Sequence, residues 1–204
     1  GVLRMLELAH RQHGRLPWVR LFEPAIRLAE SGFPMSRRLN RLLEREQALR
    51  GDSVARQLFY GAAGRARPVG ERIINTEYAA TLRAVAAGGA DAFYRGAIAE
   101  GIVRAVRAHS NAGDLTLDDL ARYAAIEREP VCGPYRAWRV CGMGPPSSGG
   151  IAVLQMLGIL ERSSFGTASP QSAQALHLFS EAARLAYADR LRYVADPAFV
   201  LQPV

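Results

Sequence analysis

The stretch Met143-Gly-Pro-Pro-Ser-Ser-Gly-Gly-Ile-Ala-Val-Leu-Gln-Met-Leu-Gly-Ile-Leu-Glu161 decides how this chain is read. Pro145 and Pro146 stop whatever precedes them, because proline fixes φ and lacks a backbone donor. Ser147 and Ser148 are suited to accept the orphan N–H groups of a helix that begins after them. Gly149 and Gly150 let the backbone bend or approach another group closely. From Ile151 to Leu160 the chain is apolar on nearly every side, which predicts a buried helix. The order is therefore strand, rigid turn, capped start and buried helix. Such a turn fits an anion site at a helix N-terminus, and it equally fits plain packing of a helix under a sheet.

Working outward, Glu127 to Met143 is the one stretch with strand character, and it predicts a hairpin about a turn at Gly133-Pro134. In that register Cys132 and Cys141 lie about 20 Å apart, so no disulfide is expected between them. Downstream, Ser169-Pro170 reads as a cap followed by proline at the first helical position, opening a helix to Tyr193. Upstream, a helix from Leu3 to His13 closes at Gly14. A second spans Pro24 to Glu30. A third, capped by Ser36, runs to Arg50 with Leu39, Leu42, Leu43 and Leu49 on its buried side. Gly51 to Gly70 reads as a loop. Asn75 or Thr76 caps the next helix, Ala90 to His109 is mostly helical, and Thr116 with Asp119 has capping-box spacing. The sum is seven or eight helices and one hairpin: a mostly α chain with one short β hairpin, of class α+β. Residues 1–204 read as one helix-rich portion. A lone hairpin is marginal unless it joins a larger sheet, so that sheet is expected elsewhere.

The chain opens on Gly1 and closes on Gln202-Pro-Val204, and is expected to be a piece of something longer. A hydrophobic content of 49% with 22% charged residues is that of an ordinary globular protein. No window approaches the roughly 18 uninterrupted apolar residues of a membrane span. The net charge is +7, and every basic residue is arginine. These arginines are interleaved with Glu and Asp and lack alternating aromatics, so a solvated surface is preferred to nucleic-acid binding.

Among candidate chemistries, Glu7, His10 and His13 share roughly one helical face. Their spacing is not the i, i+4 pair of metalloprotease helices, so exposed histidines are preferred to a metal site. His109 ends a helix, where a cation suits the dipole. His177 lies one turn from Glu181, a structural pair. Asp189-Arg190 could bind substrate, with a structural ion pair as the default. Ser147 and Ser148 invite a nucleophile reading, but the elbow needs glycine two residues upstream and finds Pro145 and Pro146. Capping is preferred. On chemistry alone the chain carries no complete catalytic constellation.

Several pieces in a fixed order nevertheless point to a family. They are Gly14-Arg-Leu-Pro-Trp18, Pro24-Ala-Ile-Arg-Leu-Ala29 with Gly32-Phe33, and Phe93-Tyr-Arg-Gly96. Then come Leu115-Thr-Leu-Asp-Asp-Leu120 with Tyr123, and Pro145-Pro-Ser-Ser-Gly-Gly150 through Gln155-Met-Leu157 and Ile159-Leu-Glu161. Last are His177, Glu181-Ala182, Ala188-Asp-Arg190 and Asp196-Pro197 with Phe199. Together they resemble the gamma-glutamyltranspeptidase family over essentially the whole chain. The resemblance implies an N-terminal-nucleophile hydrolase with an αββα sandwich, made as a precursor that cuts itself into a large and a small subunit. A freed threonine then attacks the γ-glutamyl amide of glutathione or a related donor, with its own α-amine as base. The acyl group passes to water, an amino acid or a peptide.

On this resemblance the chain corresponds to the latter, helix-rich part of the large subunit. The nucleophile stretch and the substrate-carboxylate arginine fall outside it. No catalytic residue is therefore carried over, and the piece alone is expected to be inactive. Ser147, Ser148, Gly149 and Gly150 remain as substrate-adjacent candidates. No cofactor and no metal are expected, and the resemblance implies a small-subunit partner from the same precursor and a periplasmic or secreted location. Pairing of the piece with a copy of itself is a further expectation, through faces meant for the absent sheet. Two alternatives stand beside this reading: a related cephalosporin or glutaryl acylase, and a non-catalytic helical interaction module.

Overall fold

In the computed structural model, residues 1–202 are described, so the last two residues of the closing Gln202-Pro-Val204 stretch lie outside them. The chain divides into two compact units, Gly1–Ile126 and Glu127–Val204. Both are mostly helical, and no helix among the described residues is long and apolar enough to cross a membrane.

In the first unit α1 (Val2–His13) ends where Gly14 turns extended while its N–H donates to the His10 carbonyl at 2.7 Å. The next helix, α2 (Trp18–Ser31), starts well before the expected Pro24, which lies inside it. Packing against a later helix outweighs the donor that Pro24 lacks: Trp18 Nε1 donates to the Val85 carbonyl at 3.1 Å, and Ala29 is buried. Gly32 follows with φ +75, where a Cβ would come within 2.7 Å of the Ile74 side chain. Only glycine takes that corner without strain.

The corner launches β1 (Phe33–Pro34). It is followed by α3 (Arg37–Arg45), α4 (Ala48–Gly51), α5 (Ser53–Phe59) and β2 (Arg72–Ile73). The two strands pair antiparallel with Phe33 opposite Ile73, a pairing the sequence did not disclose. Ser36 caps α3 as expected, accepting from Leu39 N at 3.1 Å. The helix stops short of Arg50, however, because Glu46 turns extended and its carboxylate accepts from Ala48 N at 2.9 Å, opening a separate turn. The stretch read as a loop holds α5, capped by Asp52. Leu43 joins Met35, Tyr60, Ala66 and Ile73 in a buried cluster, with Leu39 packed against it. Leu42 and Leu49, expected inside, are exposed.

The unit closes with α6 (Thr76–Gly88), α7 (Asp91–Tyr94), α8 (Gly96–Ala108) and α9 (Leu117–Arg122). Asn75 caps α6 through Tyr78 N at 2.8 Å, and Thr116 with Asp119 forms the capping box. The stretch read as mostly helical from Ala90 to His109 holds two helices with a break at Arg95-Gly96.

In the second unit β3 (Val131–Tyr135) and β4 (Trp138–Gly142) form the expected hairpin about a different turn. The chain reverses at Arg136-Ala137, leaving Gly133 and Pro134 inside β3, where Pro134 is tolerated because a two-stranded ribbon is all edge. The register places Cys132 directly opposite Cys141, their Cα atoms 4.1 Å apart and their sulfurs bonded. The separation expected from a Gly-Pro turn is thereby overturned.

Two helices follow, α10 (Gly149–Glu161) and α11 (Ala173–Tyr193), with a 3-10 turn at Ser164–Thr167 between them. The cap of α11 is Ser172, which accepts from Ala175 N at 3.2 Å, rather than Ser169. Ala152 on α10 and Ala175, Ala182 and Ala186 on α11 are buried, small residues that bring the two axes close. The expectation of a wholly buried α10 does not hold within this chain. Ala152 and Leu160 are buried, while Val153 is 49% exposed, because hairpin and α11 cover only part of its circumference.

Candidate functional site

Pro145 and Pro146 join through a cis peptide bond, and Ser147 N donates to the Gly144 carbonyl at 3.1 Å, closing the turn before α10. The glycines answer to packing. A Cβ on Gly150 would stand 2.6 Å from the Met143 carbonyl oxygen and 2.8 Å from the Gly142 carbonyl carbon. One on Gly142 would stand 2.6 Å from the Gly150 Cα. The first turn of α10 thus lies on the end of β4, backbone against backbone. At the other end Glu161 accepts from Arg136 N at 2.8 Å, so α10 holds both ends of the hairpin.

Neither serine caps α10 as expected. Ser148 occupies the N-cap position in helical rather than extended backbone (φ −89, ψ −11), which removes the usual capping geometry. Its Oγ instead accepts from Arg190 Nε at 2.7 Å. Ser147 Oγ accepts a long 3.4 Å bond from Gly149 N.

About two turns further on, Gln155 Nε2 donates to Asp189 Oδ2 at 2.7 Å, while Gln155 Oε1 is closed off from solvent without a partner. Asp189 and Arg190 therefore do not form the ion pair taken as the default. Each reaches across to α10, and the Arg190 guanidinium also lies over the Tyr187 ring at 5.4 Å. Between the helices is a cleft of about 260 Å³ whose lining includes Ser148, Ile151, Gln155, Asp189, Arg190 and Tyr193.

The chemistry of this cleft is recognition rather than bond making. The group nearest Ser148 Oγ is a guanidinium, which stays protonated and cannot act as a base. The fixed carboxylate, guanidinium and amide suit a polar ligand or a neighbouring backbone. Structure thus unites three quoted pieces, Ser148, Gln155 and Asp189-Arg190, that lie up to 42 residues apart in sequence. Local capping rules could not find that union.

The other candidates are placed elsewhere. Glu7 accepts from Ala90 N at 2.9 Å and pairs with Arg11 at 3.2 Å. His10 is half-buried rather than exposed, with Nε2 against the Leu16 carbonyl at 2.7 Å and its ring edge on Trp18. Among the described residues no group of three His, Cys, Asp or Glu is arranged to hold a metal ion. His109 Nδ1 meets Asn111 N at 3.0 Å. Glu181 pairs with Arg184, whose hydrogen bond holds its carboxyl below the ordinary value, with a smaller contribution from His177.

Comparison with known proteins decides what this arrangement belongs to. The gamma-glutamyltranspeptidase family description matches residues 1–204. This chain belongs to that family. It is 36% identical over its whole length to the glutathione hydrolase proenzyme of Escherichia coli K12, of which it covers 35%. It is 38% identical to the acylase ACY 1 proenzyme of Pseudomonas sp. strain SE83, again over its whole length and over 36% of the relative. The structure superposes on Helicobacter pylori gamma-glutamyltranspeptidase with a TM-score of 0.91 at 32% identity, covering all of this chain and 58% of that one. The fold is thus that of an N-terminal-nucleophile hydrolase family, and the chain spans about a third of its curated relatives' length.

Proposed function

We propose that this chain serves as the latter, helix-rich part of the large subunit of an enzyme that transfers or hydrolyses the γ-glutamyl group of glutathione and related amides. The match of the family description to residues 1–204 carries the reading. In it, a threonine opening the small subunit attacks the γ-amide carbonyl, the peptide amine leaves with a proton, and the acyl ester passes to water or an amine. The residues of this chain supply scaffold, and the Ser147–Gly150 turn forms part of the wall beside the donor. The Cys132–Cys141 bond supports an oxidising compartment, in keeping with a periplasmic or secreted enzyme.

The intact parent protein tests this through glutathione hydrolysis and γ-glutamyl transfer to an acceptor peptide. Turnover is expected, and Ser147→Ala is expected to raise KM for the donor with kcat kept. No turnover of glutathione sinks the reading, while an unchanged KM removes the wall role alone. The 38% identity to an acylase proenzyme favours a second reading, in which the same scaffold serves a glutaryl or cephalosporin-type amide. Turnover of that amide in place of glutathione would select it.

A further inference from the structure

The outward side of α3 is made of arginine. Arg37, Arg38, Arg41 and Arg45 are all exposed. At about 100° per residue they fall within an arc of about 100° opposite the buried Leu43, over about 12 Å of helix. Glu44 and Glu46, the carboxylates nearest to them in sequence, are engaged elsewhere. Glu44 accepts from Ala66 N at 2.9 Å and pairs with Arg50 at 3.3 Å, and Glu46 accepts from Ala48 N at 2.9 Å. Among the described residues the four guanidiniums have no carboxylate partner. Arg37, Arg41 and Arg45 follow one another at i, i+4, where like charges repel. Arg37 and Arg38 also lie in the first turn, where the helix dipole disfavours a cation and no acidic residue offsets it. The fold gains nothing from this arrangement, so its counter-charge comes from outside the fold.

We infer that this face of α3 seats the protein on an anionic phospholipid bilayer, with the guanidiniums on the headgroup phosphates. Leu42, 51% exposed, borders the arginine arc, so an apolar side chain enters the headgroup layer beside the cations. Clusters of four or more basic residues on one helix are the usual signature of attraction to anionic lipid. Burial against another polypeptide would strip water from four guanidiniums and demand carboxylates placed to match, whereas a bilayer surface leaves the charged heads hydrated. No aromatic side chain lies between Arg37 and Arg45, so nucleic-acid bases find no stacking platform there. The inference stands apart from the γ-glutamyl reading, because lipid binding is measured without turnover.

Co-sedimentation of the intact parent protein with vesicles tests this. The vesicles hold about 30% phosphatidylglycerol in phosphatidylcholine, with pure phosphatidylcholine as the reference. Binding is expected to the first and not to the second. Each arginine at such a surface contributes about fivefold to partitioning, so Arg38→Gln combined with Arg41→Gln is expected to lower it about 25-fold. The matched pair Arg104→Gln with Arg107→Gln, exposed on α8 at the same i, i+3 spacing, is expected to change it by less than about twofold. The urea midpoint of the α3 pair is expected to hold or rise, because repulsion is relieved. Equal losses from the two pairs overturn the inference, since net charge alone would then be the cause. A lowered midpoint overturns it too, because the arginines would then serve the fold. So does the absence of vesicle binding by the parent, which would mean that the face is covered. Retention on immobilised polyaspartate without vesicle binding assigns the face to an acidic polypeptide and likewise overturns it.

Discussion

Gly150 shows how much one absent methyl group can decide. Its missing Cβ leaves room for the Met143 carbonyl and the end of β4, and both are main chain, so neither can swing aside. Gly150→Ala gains about 1 kcal/mol of helix propensity. It also forces an overlap of the kind that costs about 1–3 kcal/mol when the neighbours cannot relax. With backbone on both sides the overlap wins, and the net fall in stability is expected to be about 1 kcal/mol in urea unfolding. A neutral or stabilised variant would contradict the close approach of helix and strand. Ser148 teaches a different lesson. The sequence places a hydroxyl before a helix, and the cap is the obvious local reading. Its actual partner is Arg190, 42 residues away, on a helix whose position no local rule supplies.

Among elements, the hairpin β3–β4 has little support of its own, since two strands alone are marginal in water. The Cys132–Cys141 bond closes a loop with a sequence separation of 9. Loop-closure entropy for a ring of that size corresponds to about 2–3 kcal/mol. Reduction is therefore expected to lower the unfolding free energy of the second unit by about that amount, measured by denaturant titration with and without a thiol reductant. An unchanged midpoint would mean that α10 alone holds the strands together.

How far the elements were legible follows from how local their causes are. Ser36 and Thr116 are legible, and Asn75 as one of two candidates with Thr76, because a cap bonds to an amide three residues away. The hairpin was found and its turn misplaced, because Gly133-Pro134 looks like a turn while Arg136-Ala137 does not. That shift moved the register, and with it the cysteine pairing. The β1–β2 pair escaped notice since each strand is two residues long and its partner lies about forty residues away. The site was half legible: its residues appear in quoted motifs, but their meeting across α10 and α11 does not.

At the scale of the whole molecule, exposed carboxylates held by donors set the acid limit. The Arg4 hydrogen bond, then its charge, keeps Asp91 below its ordinary value of 3.8. Hydrogen bonds from Thr116 do the same for Asp119. A carboxyl whose pKa is depressed on folding contributes stability that is full above its unfolded value and disappears as pH falls through the folded one. Stability is thus expected to be flat near neutrality and to decline below about pH 4. Asp91→Asn should be less stable near neutrality and less sensitive to acid, as read from urea midpoints across pH. A variant with the same acid slope as the wild type would remove Arg4–Asp91 from the account. The placement of the two tryptophans has a further consequence. Trp18 sits half-buried in the first unit with its indole N–H on the Val85 carbonyl, and Trp138 lies 73% exposed beside the hairpin turn in the second. Each unit therefore carries its own fluorophore, and single Trp→Phe variants turn one intrinsic emission spectrum into two independent optical reporters.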